Sequence, residues 1–205
     1  DYKVSNLIAY LQGQQEADSF IVITAHYDHV GMLGEALYPG GNDNASGVAM
    51  ILDLARHLKS QTFRPKYSIL FLALASEEAG LLGSTWFAEH PTIDLKKIKF
   101  LLNLDMVGTG STGITVVNGT VFKDAFKKLS DLNTENSFIA QVKERGESCN
   151  SDHCPFYEKG VPSFFIYTTG SEYREYHSIT DRPKNVPLTA YSGLFKLIEA
   201  FIYSF

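Results

Sequence analysis

The chain is poor in cysteine and tryptophan, with two Cys and one Trp in 205 residues. Two thiols at 149 and 154 cannot form a disulfide framework, and no CxxC pair is present for a zinc ribbon. Long apolar runs are also missing. The longest, residues 67–75, is about half a membrane span, which excludes a transmembrane helix. Basic charge is in deficit, since 18 Lys and Arg face 23 Asp and Glu for a net −5. That balance argues against a nucleic-acid binder, which normally carries a basic stripe. There is no internal repeat, low-complexity tract or linker-like stretch, and the length suits one domain spanning 1–205. The chain opens at Asp1 without a Met or a signal peptide, so a processed or excised chain is expected, with an N-terminal segment removed.

What is present is a core. Hydrophobic residues make up 44% and charged residues 20%, enough apolar surface to fold. Residues 20–25 (FIVITA), 67–75 (YSILFLALA) and 100–104 (FLLNL) are continuous apolar runs of the kind buried on both faces of a sheet. Residues 4–11, 114–117 and 163–167 are further strand candidates. Between them, residues 45–58 place Val48, Ile51, Leu52, Ala55 and Leu58 at helical spacing, with Asn44 as the expected N-cap. Residues 80–89, 122–132 and 188–201 follow the same pattern. Alternating strands and helices predict an α/β sandwich around a mixed, mostly parallel sheet.

In such sheets ligands bind beyond the carboxyl ends of the strands. Here those ends carry metal-ligand residue types. FIVITA runs into His26, Tyr27, Asp28 and His29; YSILFLALA runs into Glu77 and Glu78; FLLNL runs into Asp105. A Gly-rich loop, residues 40–47, sits before the first long helix. Taken singly, each has a plain reading: Asp43 as a turn residue, Glu77 and Glu78 as acids at a helix start, His177 as a loop histidine. Three strand ends and the loop together make coincidence a poor explanation.

The series AHYDH (25–29), GGNDNASG (40–47), SEEAGLLGS (76–84), NLDMVG (103–108), SDHCPF (151–156) and YHSITD (176–181) resembles the co-catalytic dizinc aminopeptidases, leucyl-aminopeptidase-like bacterial enzymes with the zinc exopeptidase fold. The six motifs stand in the family's order, and the match runs from about residue 4 to the C-terminus. The resemblance implies a three-layer α/β sandwich and two Zn²⁺. Asp43 bridges, His26 and Asp105 complete one metal, and Glu78 and His177 the other, leaving room for a shared water. It implies Glu77 as general base, Asp28 as the carboxylate that takes the second N–H of His26, and Tyr176 as a donor to the developing oxyanion. No ligand role falls on His29. A cis peptide is expected at Asp43–Asn44. Met106, Phe156, Phe165 and Tyr167 fall in segments that flank the site in relatives, and either line a substrate pocket or pack in the core.

The substrate implied is a peptide, with N-terminal residues removed by hydrolysis. Two alternatives share the fold: a glutaminyl-cyclase-like transferase working with one zinc, and a non-catalytic ectodomain that has lost ligands. The intact ligand set and Glu77 favour hydrolysis. Export to the periplasm or cell exterior is expected, as relatives are commonly exported. Cys149 and Cys154 form either a local disulfide, as in some secreted relatives, or buried thiols. Ser151 or Asp152 is expected to cap the next helix, with Asp152 also a candidate for the pocket wall. His57 and His90 are expected to face solvent or end a helix.

Overall fold

A computed structural model describes residues 3–205. In chain order the elements are β1 (Leu7–Leu11), β2 (Glu16–His26), β3 (Gly31–Leu33), β4 (Ala36–Tyr38), α1 (Ser46–Ser60), β5 (Tyr67–Leu74), α2 (Leu82–Glu89), β6 (Ile98–Leu104), β7 (Gly113–Val117), α3 (Lys123–Asn136), β8 (Val142–Glu144), α4 (His153–Glu158), β9 (Ser163–Thr169) and α5 (Tyr191–Tyr203). The three apolar runs become β2, β5 and β6, the centre of a seven-stranded sheet ordered β1-β5-β2-β6-β9-β7-β8. β5, β2, β6 and β9 are mutually parallel, β1 pairs antiparallel with β5 and β7 antiparallel with β9, and β8 lies parallel to β7 at the edge. The sheet is therefore mixed and mostly parallel at its centre, as expected.

Side chains alternate across the sheet. Ile21, Ile23, Ile69, Phe71, Phe100 and Leu102 face one layer, filled by Met50, Leu54 and Leu58 of α1, Leu129 of α3 and Leu194, Leu197 and Phe201 of α5. Val22, Leu70, Leu72 and Leu101 face the other, filled by Phe87 of α2 and Phe156 of α4. Both faces of the central strands are covered, which is why their sequences read as unbroken apolar runs rather than as alternation.

Three short strands escaped the sequence reading. The β3–β4 hairpin pairs only with itself, and Met32, Leu33 and Leu37 on it are exposed, so no burial pattern marks it. β8 is three residues long at the sheet edge, with two of them exposed. The helices begin and end a few residues away from their predicted bounds, as expected where caps are weak. Asn44 does satisfy the first turn of α1, its Oδ1 accepting the Gly47 N–H at 3.0 Å, although the helix starts only at Ser46. Neither Ser151 nor Asp152 caps α4 with its side chain. The Ser151 hydroxyl is engaged elsewhere, as described below. His57 is not simply solvated, because its Nε2 lies 2.7 Å from Glu199 Oε1 on α5. His90 stacks on Trp86 at the end of α2. Cys149 and Cys154 are joined in a disulfide.

Leu102 is fully buried at the middle of β6. Leu102→Ala should lower the unfolding free energy by about 2–5 kcal/mol, the usual cost of a core leucine. Urea titration followed by circular dichroism measures it.

Candidate metal centre

β2, β5 and β6 run parallel and finish at one edge of the sheet, so the residues just past their ends converge. His26 is the last residue of β2. Asp105 follows β6 directly, and the chain then turns sharply at Met106, whose φ is 57°. Beyond β5 the chain turns at Ser76, φ 57°, and presents Glu77 and Glu78. Asp43 comes from the tight turn at Gly41–Ala45 ahead of α1, with the Asp43–Asn44 peptide cis as expected. His177 arrives from the irregular segment after β9, with φ 48°. Left-handed backbone at three non-glycine positions around one site costs free energy at each, and the packed surroundings hold them there.

The five expected donors meet in two groups that share Asp43. His26 Nε2 lies 3.3 Å from Asp43 Oδ1 and 3.4 Å from Asp105 Oδ1. His177 Nε2 lies 3.2 Å from Asp43 Oδ2 and 3.2 Å from Glu78 Oε1. One carboxylate oxygen of Asp43 thus faces each group. Donors about 2.0–2.1 Å from one tetrahedral zinc are about 3.3 Å from each other, so these separations fit common coordination better than direct hydrogen bonding. His26 Nε2, Glu78 Oε1 and Asp105 Oδ1 are buried without a hydrogen-bond partner. Buried polar atoms normally have one, and these all aim at the space between the donors. The chemistry of the set, imidazole nitrogen with carboxylate oxygen, suits zinc.

The donors are held from behind. Asp181, fully buried, accepts the Asn42 N–H at 2.7 Å and the Asp43 N–H at 3.1 Å on its two oxygens, and the Tyr173 hydroxyl donates to it at 2.6 Å. Asn42 Oδ1 accepts Gly108 N–H, Asn44 Oδ1 accepts Met106 N–H, and Asn44 Nδ2 donates to the Leu104 carbonyl. These bonds tie the Asp43 turn to the chain that carries Asp105. Asp105 Oδ2 accepts from Ser151 at 2.8 Å, Ser151 Oγ accepts from Asn103 Nδ2, and Asn103 Oδ1 accepts from Thr24, a buried relay anchored on β2 and β6. Gly47 lies so close to β6 that a Cβ would sit 2.4 Å from the Leu104 carbonyl oxygen, which explains a glycine inside the first turn of α1.

Asp28 lies beside His26 as expected and also serves a second segment. Its carboxylate accepts the Glu77 and Glu78 N–H groups at 3.0 and 3.2 Å. His26 Nδ1 is 3.1 Å from the Asp28 carbonyl oxygen and 3.7 Å from the carboxylate. The imidazole is therefore oriented chiefly by backbone, and Asp28 fixes the turn that presents the two glutamates. Burial opposes charge on His26, but Asp105, Asp28 and Asp43 around it outweigh this and raise its pKa well above the imidazole range. Burial pushes Glu77 up to about 8; His26 lowers it, and Asp105, Asp152 and Glu78 add to the rise. Burial likewise lifts Asp152 to about 7. Asp152 is enclosed and does not line the cavity.

A cavity of about 460 Å³ opens onto the donors. Glu77 and Tyr176 line it, as do Met106, Phe165 and Tyr167. Phe156 does not. It is fully buried on the opposite layer against Phe87, because α4 packs that face of the helix onto the sheet. Tyr176 is exposed and its ring stacks on His177 at 4.0 Å. His29, to which the resemblance gave no ligand role, also reaches the site. Its Nδ1 lies 2.8 Å from Glu78 Oε1. Its place in AHYDH, three residues beyond His26, was the available signal.

A sequence profile of Peptidase family M28 matches residues 6–202. The chain is 31% identical over 194 residues to Aminopeptidase YwaD of Bacillus subtilis, covering 89% of this chain and 40% of that one. It resembles the structure of BSAP, a zinc aminopeptidase from Bacillus subtilis, with a TM-score of 0.77 and 26% identity over 97% of this chain and 49% of that one. A glutaminyl cyclase from an Acidobacteriales bacterium superposes with a TM-score of 0.80 at 24% identity, covering 96% of this chain and 72% of that one, a likeness of fold alone. The chain spans less than half the length of the two Bacillus subtilis proteins.

Asp181→Ala should leave two buried N–H groups unpaired at about 1–3 kcal/mol each and loosen Asp43. Denaturation and zinc content should both report it, with less zinc retained after dialysis. The metal-free chain should lose stability as pH rises from 6.5 to 8. Across that window folded Glu77, Asp152 and His26 hold protons that the unfolded chain releases, so the native state binds more protons and stability falls. His153, which burial pushes down to about 4, acts in the opposite sense chiefly between 4 and 6.5, and this fades as pH rises further, so the other three groups prevail across the window. A melting temperature of the chelated protein that climbed between pH 6.5 and 8 would contradict this assignment.

Proposed function

The chain belongs to peptidase family M28, and from that premise we propose that it removes N-terminal residues from peptides by zinc-assisted hydrolysis. The observation that carries this reading is the placement of Asp43 between two donor groups with Glu77 beside one of them. On this reading His26, Asp43 and Asp105 hold one zinc, and Asp43, Glu78 and His177 hold a second. When bound, zinc at such a centre polarises the scissile carbonyl and lowers the pKa of water.

Glu77 is the general base. Its backbone is fixed by Asp28, and its carboxylate faces the cavity within 4.8 Å of the donor atoms of His26 and Asp105. It takes a proton from the attacking water and delivers it to the leaving amine. Burial raises its pKa, and cations held beside it would lower it again, leaving the carboxylate ionised to accept that proton. Tyr176 lines the same cavity. Partial burial of the phenol, together with the carboxylates of Asp43 and Glu78, raises its pKa, which keeps the hydroxyl protonated and able to donate to the oxyanion that develops on the scissile carbonyl. The free α-amino group of a peptide finds compensating charge in the carboxylates of the floor. The wall of Met106, Phe165 and Tyr167 offers apolar surface to the first side chain of the substrate. The cyclase alternative draws on the fold alone, and the shared bridging carboxylate favours two ions over one.

Zinc analysis with hydrolysis of aminoacyl anilides tests the proposal. The wild type should hold about two zinc per chain. Glu77→Ala should keep that zinc and lose roughly 10²–10⁴-fold in kcat. Glu77→Ala activity near that of the wild type, or cyclisation of Gln-peptides without hydrolysis, would overturn it.

A further inference from the structure

His29 lies outside the five expected donors, yet its ring sits within the second group. The side chain is 8% exposed. Its Nδ1 is 2.8 Å from Glu78 Oε1 and 3.9 Å from Asp43 Oδ2, and the ring meets that of His177 edge to face at 5.5 Å. One donor atom each from His29, Asp43, Glu78 and His177 can be chosen so that all four lie within 4.8 Å of one another. Neither nitrogen of His29 has a hydrogen-bond partner, and neither does Glu78 Oε1. The two atoms are near enough to bond but not aligned to do so. Buried imidazole nitrogens are rarely left in that condition, and a shared ion resolves it for both atoms at once.

The backbone is shaped around this ring. Gly40 has a left-handed φ of 69°, and a Cβ there would lie 2.7 Å from Cγ and 2.8 Å from Cβ of His29. The glycine-rich loop that presents Asp43 therefore also packs against His29. The segment AHYDH then supplies one imidazole to each group, His26 from the strand end and His29 from the irregular chain beyond it.

We propose that His29 is a fourth protein donor to the Asp43–Glu78–His177 group, so that the two metal positions are unequal. This rests on the reading of the centre as a two-ion site. The group with His29 is closed by four protein donors, the pattern of holding sites. The His26–Asp43–Asp105 group has three and lies beside Glu77, the pattern that leaves a place for water or substrate. The closed position retains its metal while the open one exchanges.

Chelator titration of the zinc-loaded chain, followed by zinc content, tests the inequality. The wild type should release its two equivalents in separate steps. In His29→Ala the tighter step should move to chelator concentrations lower by roughly 10–100-fold, at least the loss seen for residues that only orient a ligand. With cobalt in the tight position, the visible absorption should change in His29→Ala as water replaces the imidazole. His29→Gln keeps a side chain that can hydrogen-bond Glu78 but ligates poorly, and it should behave like His29→Ala. Wild-type retention in His29→Gln would show that His29 only positions Glu78 and would overturn the proposal. So would unchanged release in His29→Ala. A wild type that binds one equivalent at most would instead sink the two-ion reading itself.

Discussion

The carboxylate of Asp43 stands between two imidazoles, 3.3 Å from one and 3.2 Å from the other, and the rest of the site is arranged to keep it there. Its own N–H and that of Asn42 are pinned by the buried Asp181. Its neighbours Asn42 and Asn44 bond to the chain just beyond β6. A charge so placed, flanked by Glu77, Glu78 and Asp105, is electrostatically costly unless positive charge sits among the carboxylates. Zinc bound there would supply it.

The sheet explains why the site is where it is. Parallel strands deliver their carboxyl ends to one edge, and three adjacent strands there end in His26, Glu77–Glu78 and Asp105. Apolar packing on both faces makes those strands rigid, so the donors inherit their precision from a core that takes no part in the chemistry. The left-handed turns at Ser76 and Met106 are the points where the chain leaves the regular sheet to aim a carboxylate. Those conformations persist because hydrogen bonds from the Asp43 loop and from Asp28 hold the segments that follow them.

Much of this was legible beforehand. Strands buried on both faces announce themselves as FIVITA, YSILFLALA and FLLNL, and acids and histidines at their ends stand out because nothing apolar explains them. Elements without burial left no such trace. The β3–β4 hairpin carries exposed side chains and pairs only with itself, and β8 is a short, mostly exposed edge strand on β7. Phe156 shows the converse limit. An aromatic residue reads alike whether it faces a cavity or a core, and only the packing of α4 on the sheet decided for the core. Asp28 was found from its spacing to His26, whose Nδ1 lies 3.7 Å from its carboxylate, but that spacing cannot reveal that two backbone N–H groups from residues 77 and 78 also bond to its oxygens.

The sequence by itself determined the α/β class, the central strands and the residue types gathered at their ends, because periodicity and residue chemistry are local properties. The motif order added the grouping of five donors. Tertiary structure alone decided what depends on approach between distant segments: that Asp181 clamps Asp43, that Ser151 serves Asp105 rather than a helix end, and that His29 turns inward to Glu78. Such contacts join residues dozens of positions apart, and no spacing rule encodes them. They exist only once the hydrophobic layers have fixed where each strand ends.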